Sequence, residues 1–298
     1  MCVNGGNYRQ HDKRNPTRRR AQLVKKLNRR ILACLLIFGL IYISYDVLLR
    51  VKPANSQINE SLPDVTVFVH GYKGTAVSFR SMLERFEQTY EWGKKALTCR
   101  VTADGRVLVD ETADFQTEER LFVQVVFENN RASFHDSAYW LSKVLNVLHE
   151  TYQVETVNIV GHSMGGIVSV KFLEDYSKGP GYPFINKLVV LGSPFSGLKN
   201  KDYLKTNTGP AAVDLMPRSA ALQKLFKQKH AFPSDVQVLA LAGSGDQLVS
   251  VKSALSLDQI VPASQFQQAV VSDRRITHSG LHESEEVDRI IGRFLWNE

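Results

Sequence analysis

The residues best placed to do chemistry lie at Gly161-His162-Ser163-Met164-Gly165-Gly166, where a serine stands between glycines. A serine hydroxyl is a weak nucleophile at neutral pH. It attacks a carbonyl only when a base takes its proton and a third group orients that base. The apolar run Val157-Asn158-Ile159-Val160 precedes the serine, and a helix-forming run follows it. A strand that turns this sharply into a helix holds the serine in a strained backbone and lifts its hydroxyl above the sheet. Glycine at 161 and 165 keeps the turn clear of crowding Cβ atoms. The amide of Met164 opens the helix and points to where negative charge develops on a bound carbonyl oxygen.

The base and acid are sought downstream, because sites of this kind run Ser, then Asp or Glu, then His along the chain. Of the eight histidines only His230, His278 and His282 follow Ser163. Residues 236–242 read as a buried strand ending in Gly243-Ser244-Gly245-Asp246, which makes Asp246 the expected acid. Asp235 precedes that strand and so lies at the wrong end of the sheet. Asp214 falls in an insertion and Asp258 in a helix. Glu174, Asp175 and Asp202 come too early, and Asp273 stands too close to the histidine. His230 comes before Asp246, which makes it a poor base. His278 lies in the loop after the last strand, 266–271, ahead of a helix marked by Val287, Ile290, Ile291, Phe294 and Leu295. His278 is therefore the expected base, with His282, at the start of that helix, as the alternative. Two histidines four apart would also suit a metal pair, but no third ligand accompanies them. No metal or organic cofactor is expected.

A second oxyanion donor is expected after the apolar strand at 64–69, which ends in His70-Gly71-Tyr72-Lys73-Gly74. There the amide of Tyr72 would face the substrate oxygen beside that of Met164, and His70 would order the turn. Together these motifs resemble the α/β-hydrolase superfamily in its lipase- and esterase-like branch. The chain is similar, more narrowly, to a family of cell-surface α/β-hydrolases of Gram-positive bacteria. That likeness rests on His70-Gly71-Tyr72-Lys73-Gly74-Thr75, Phe127-Glu128-Asn129-Asn130 and His278-Ser279-Gly280-Leu281-His282-Glu283. It covers residues 60–298 and implies a fold and serine chemistry, but little about substrate.

The elements that must position these residues follow from periodicity. Strand-like runs at 121–127, 157–160 and 187–191 alternate with helical ones, such as Tyr139, Leu141, Val144, Leu145 and Leu148. This predicts an α/β fold of the hydrolase type: a mostly parallel sheet with helices on both faces. Asp104-Gly105 between strand-like runs predicts a hairpin at the sheet edge. Residues 64–298 make one hydrolase domain, with a cap insertion at about 195–235. That cap is expected either to select an acyl chain or to be a plain surface helix.

The N-terminus speaks to location. Residues 1–30 hold ten Lys or Arg and one Asp, so the +7 of the whole chain belongs to this tail, and residues 31–298 total −2. The body's near balance gives no reason to expect nucleic acid as a partner. The tail suits anionic lipid headgroups. Residues 31–49 are nineteen positions interrupted only by Asp46, just long enough to span a bilayer. With Lys25, Lys26, Arg29 and Arg30 ahead of it, the span predicts one transmembrane helix, a cytoplasmic tail and an extracytoplasmic domain, joined by a linker at 50–63. A cleaved signal peptide is the rival, but no clear small-residue cleavage site follows the apolar core. Of the three cysteines only Cys99 falls in the domain, so no disulfide framework is expected there.

The expected function is that of a membrane-anchored serine hydrolase acting on small carboxylic esters or acyl lipids. The alternatives are an acyltransferase using the same triad and a non-catalytic surface binding protein on a hydrolase fold.

Overall fold

The computed structural model describes residues 25–26, 64–113, 115, 119–198 and 201–298. The expected span at 31–49, the linker and nearly all of the basic tail lie outside the described residues. Among those described, no helix is long and apolar enough to cross a membrane.

Ser61–Glu298 is a compact unit in its own right. It is built on eight strands: β1 (Asp64–Val69), β2 (Lys94–Val101), β3 (Val107–Glu111), β4 (Arg120–Phe127), β5 (Thr156–His162), β6 (Phe184–Leu191), β7 (Gln237–Gly243) and β8 (Phe266–Val271). Their order in the sheet is β3-β2-β4-β1-β5-β6-β7-β8. Every pairing is parallel except β2 with β3, the hairpin turned at Asp104-Gly105.

Alternation along the strands splits the core in two. Val65, Val67 and Val69 of β1 belong to one buried cluster, and Phe68 belongs to the other. A parallel sheet needs cover on both faces. The first face takes α2 (Phe134–Tyr152) and α3 (Met164–Asp175). The second takes α1 (Arg80–Glu84, continued by a π-type turn, Arg85–Thr89) and the C-terminal α8 (Glu285–Trp296). Helix α2 starts where Ser133 Oγ accepts from the amide of Asp136, and it stops at Gln153, whose φ is 56°. Helix α3 is buried all round from Met164 to Glu174, as suits a helix wedged between the sheet and its neighbour. Helix α8 is capped by Ser284 and carries Glu285, Glu286 and Asp288 in its first turn, where the helix dipole favours acids.

Between β6 and β7 the chain leaves the sheet and forms α4 (Lys201–Thr206), α5 (Pro210–Asp214), α6 (Ala220–Lys227) and a 3₁₀ turn, Lys229–Ala231. Asp214, which sequence position excludes as the acid, accepts a hydrogen bond from the amide of Phe134 at 2.9 Å and so pins this cap to the start of α2. Helix α7 (Val251–Leu255) follows β7. Because β1 and β4 to β8 run parallel, their C-terminal ends meet on one rim, where open α/β sheets place their ligands. The His70 turn, Ser163, Asp246 and the His278 loop all follow strands that end there.

Candidate active site

Ser163 caps α3 at φ 56° and ψ −125°. An L-residue is held there only when its surroundings over-determine it. Its amide donates to the carbonyl of Leu191 at 2.8 Å, which ties the elbow to the end of β6. A Cβ at Gly165 would come within 2.1 Å of the carbonyl oxygen of Val69, so helix and strand could not approach this closely with any other residue.

Asp246 and His278 are brought together although 32 residues separate them. The Nδ1 of His278 lies 2.6 Å from Oδ2 of Asp246. A carboxylate can only accept here, so Nδ1 carries the proton and Nε2 is left as the basic nitrogen. The other carboxylate oxygen accepts from the amides of Leu248 and Val249, each at 2.8 Å. The acid is therefore held from both sides, and its side chain is 1% exposed against 12% for the imidazole. His282 also meets a carboxylate, Glu283 at 3.0 Å from its Nδ1, but that carboxylate is 46% exposed where Asp246 is buried, and burial lowers the His282 pKa.

Two residues that sequence reasoning did not single out lie against this pair. His162 Nε2 lies 3.1 Å from the backbone carbonyl of His278 and must donate to it, and its ring lies 4.7 Å from that of His278. Burial, followed by the neighbouring His278 and His282, pushes the His162 pKa well down, so the ring stays neutral and keeps that proton. Gly192, at φ 53°, is the other. A Cβ there would lie 3.2 Å from Oδ2 of Asp246 and 3.4 Å from Nδ1 of His278. A glycine directly after an apolar strand was the available signal. Ser163 Oγ makes no hydrogen bond among the described residues. Such catalytic contacts often close only on a bound substrate.

The His70 turn lies against the elbow. A Cβ at Gly71 would lie 2.8 Å from Ser163 Cβ and 3.3 Å from the amide nitrogen of Met164. Neither the Tyr72 nor the Met164 amide has a hydrogen-bond partner among the described residues. His70 orders the turn. Its Nδ1 donates to the carbonyl of Gly71 at 2.8 Å, and its Nε2 accepts from the amide of Phe127 at 3.0 Å. Burial lowers its pKa to about 4, which suits a neutral strut. Asn130 explains the Glu128-Asn129-Asn130 run: its carbonyl accepts from the amide of Lys73 at 2.9 Å, and its side chain donates to the carbonyl of Gly74 at 2.9 Å.

The same turn is latched to the cap. Tyr72 Oη donates to the carbonyl of Thr208 at 2.6 Å, and Lys73 Nζ donates to Oδ1 of Asn207 at 2.7 Å. The Tyr72 side chain therefore has a role of its own besides the backbone amide. Among the described residues no group of three or more His, Cys, Asp or Glu is placed to hold a metal ion.

Residues 52–298 match the model of an α/β-hydrolase family of unknown function, DUF915. The fold is similar to that of the lin2722 gene product of Listeria innocua, with a TM-score of 0.68, 25% identity, and coverage of 79% of this chain and 95% of that one. It is also similar to a protein from Lactobacillus plantarum WCFS1 described as a cell surface hydrolase, with a TM-score of 0.64, 20% identity, and coverage of 80% and 93%. Est1E from Butyrivibrio proteoclasticus aligns with a TM-score of 0.51 at 12% identity, over 80% of this chain and 89% of that one. No curated protein matches the chain.

Proposed function

The chain belongs to an α/β-hydrolase family of unknown function, and from that premise we propose that it is a serine hydrolase cleaving carboxylic esters of the small or acyl-lipid type. The observation that carries this reading is the 2.6 Å contact of His278 Nδ1 with Asp246, which leaves Nε2 as the basic nitrogen on the rim where Ser163 stands. Ser163 attacks the ester carbonyl, and His278 Nε2 takes its proton. Asp246 keeps the imidazole in the required tautomer and stabilises its charged form. The amides of Tyr72 and Met164 donate to the oxyanion. The imidazolium protonates the departing alcohol, leaving an acyl-enzyme. Water, deprotonated by His278, then releases the acid and restores Ser163.

In the same reading residues 31–49 anchor the domain in the membrane, with residues 1–30 in the cytoplasm and the hydrolase outside. That placement is supported by the basic residues ahead of an apolar run that carries no charge from Ile31 to Tyr45.

Labelling of the full chain with a fluorescent fluorophosphonate tests the chemistry. The wild-type chain is expected to label, Ser163→Ala to lose the label with its circular dichroism unchanged, and His278→Ala to label far more slowly. Labelling that survives in Ser163→Ala would refute the mechanism. Loss in Ser163→Ala with full labelling in His278→Ala would move the base to His282.

A further inference from the structure

The cap carries a cleft of about 400 Å³ whose lining includes none of Ser163, Asp246, His278, Tyr72 or Met164. Phe195, Leu222 and Phe226 supply its apolar wall, and Arg218, Gln223 and Lys227 also line it. Phe195 and Leu222 are buried, whereas Arg218, Gln223 and Lys227 are exposed. The cleft is thus apolar within and polar at its mouth, and none of its lining residues is acidic. Neither cationic side chain has an ion-pair or hydrogen-bond partner among the described residues.

Arg218 stands in a turn of unusual backbone. Its φ is 60°, a left-handed conformation that costs a non-glycine residue free energy. The turn is braced on both sides: Gln223 Nε2 donates to the carbonyl of Arg218 at 2.7 Å, and Ser219 Oγ donates to the carbonyl of Asp214 at 2.6 Å. Charge in the cap points the same way. Residues 195–235 carry a net +4 within a domain, 64–298, that totals −2. The cap is therefore positive against a negative body.

We propose that this cleft binds a single-chain anionic amphiphile. The acyl chain lies against Phe195, Leu222 and Phe226, and a carboxylate or phosphate head sits between Arg218 and Lys227. The volume falls at the lower end of small-molecule sites, about 300–1,000 Å³, which fits one chain better than two. The site stands on its own lining and does not depend on Ser163 being a nucleophile. The same head chemistry is offered by a free amphiphile and by the lipids of an anionic surface.

The test uses the full chain in phosphatidylcholine vesicles and twelve-carbon diazirine probes bearing a carboxylate, a phosphate or a hydroxyl. Photolabelled peptides are then mapped. The two anionic probes are expected to mark the segment from Leu222 to Phe226. The signal should fall about fivefold or more in the Arg218→Ala/Lys227→Ala double variant, the scale of losing exposed ion pairs, and persist in Arg218→Lys/Lys227→Arg. Competition by dodecanoate alone identifies a free amphiphile as the ligand, and competition by phosphatidylglycerol vesicles identifies a lipid surface. Equal labelling by the hydroxyl probe, labelling indifferent to the double alanine variant, or label spread over other segments would each overturn the proposal. Fluorophosphonate labelling of the same samples reports Ser163 separately, so the two readings can fail independently.

Discussion

At the residue scale, the Asp246 carboxylate is what gives the His278 imidazole a direction. Two backbone amides hold one of its oxygens, which leaves the other to take the Nδ1 proton. Asparagine at 246 would keep the shape but could offer its amide nitrogen to Nδ1, stabilising the tautomer whose proton sits on Nε2. Asp246→Asn is therefore expected to fold normally and lose about 10⁴-fold in kcat, as a triad with the wrong tautomer does. Ester turnover checks this, and a loss below tenfold would show that the carboxylate does not orient the base. Ser163 and Asp246 were legible in the sequence because each follows an apolar strand through glycine-containing turns. His278 was separated from His282 by its expected place in a loop; the structure puts it at the start of a 3₁₀ turn, Ser279–His282, that ends before the helix begins at Glu285. The contribution of His162 was not legible, because its contact with the His278 carbonyl joins residues 116 positions apart. Periodicity reports which face a residue takes, not which distant carbonyl it will meet.

At the scale of elements, the turn after β1 does two things at once. Its backbone offers the Tyr72 amide to the rim, while its side chains reach across to Asn207 and Thr208 in the cap. Thr208 and Asn207 of the cap are thereby tied to the turn that carries the amide proposed as an oxyanion donor. Tyr72→Phe removes the hydroxyl bond and keeps the amide. It is expected to leave fluorophosphonate labelling intact while changing KM and the ester chain-length preference. An unchanged KM and preference would mean that the latch has no part in substrate admission. The strands and long helices of this fold were legible because each repeats its pattern over several turns or alternations. Helix α1 and its π-type turn were not, since five residues of each carry too little periodicity to stand out. They matter nonetheless: Arg85 from that turn donates to the carbonyl of His282 at 3.2 Å and to Oδ1 of Asp288 at 3.0 Å, bracing the segment that follows the candidate base.

At the scale of the whole molecule, one sheet carries two hydrophobic cores and gathers the candidate site residues on a single rim. That architecture followed from alternating strand and helix signals. The order of the strands did not, because it depends on crossovers that no local pattern encodes. The elbow bears on the stability of the entire domain. Ser163 sits at φ 56° and ψ −125°, where glycine rests easily and any side chain with a Cβ does not. Ser163→Gly is expected to raise Tm by about 2–4 °C, the shift that about 1 kcal/mol of relieved strain gives a domain of this size. Ser163→Ala, which keeps the Cβ, should not gain that increment. Equal Tm values for the two variants, measured by calorimetry, would show that the backbone there is not strained. If the gain is present, thermal robustness and chemistry pull in opposite directions at one codon. A lineage released from its substrate would drift toward glycine at 163 and become sturdier as it fell silent.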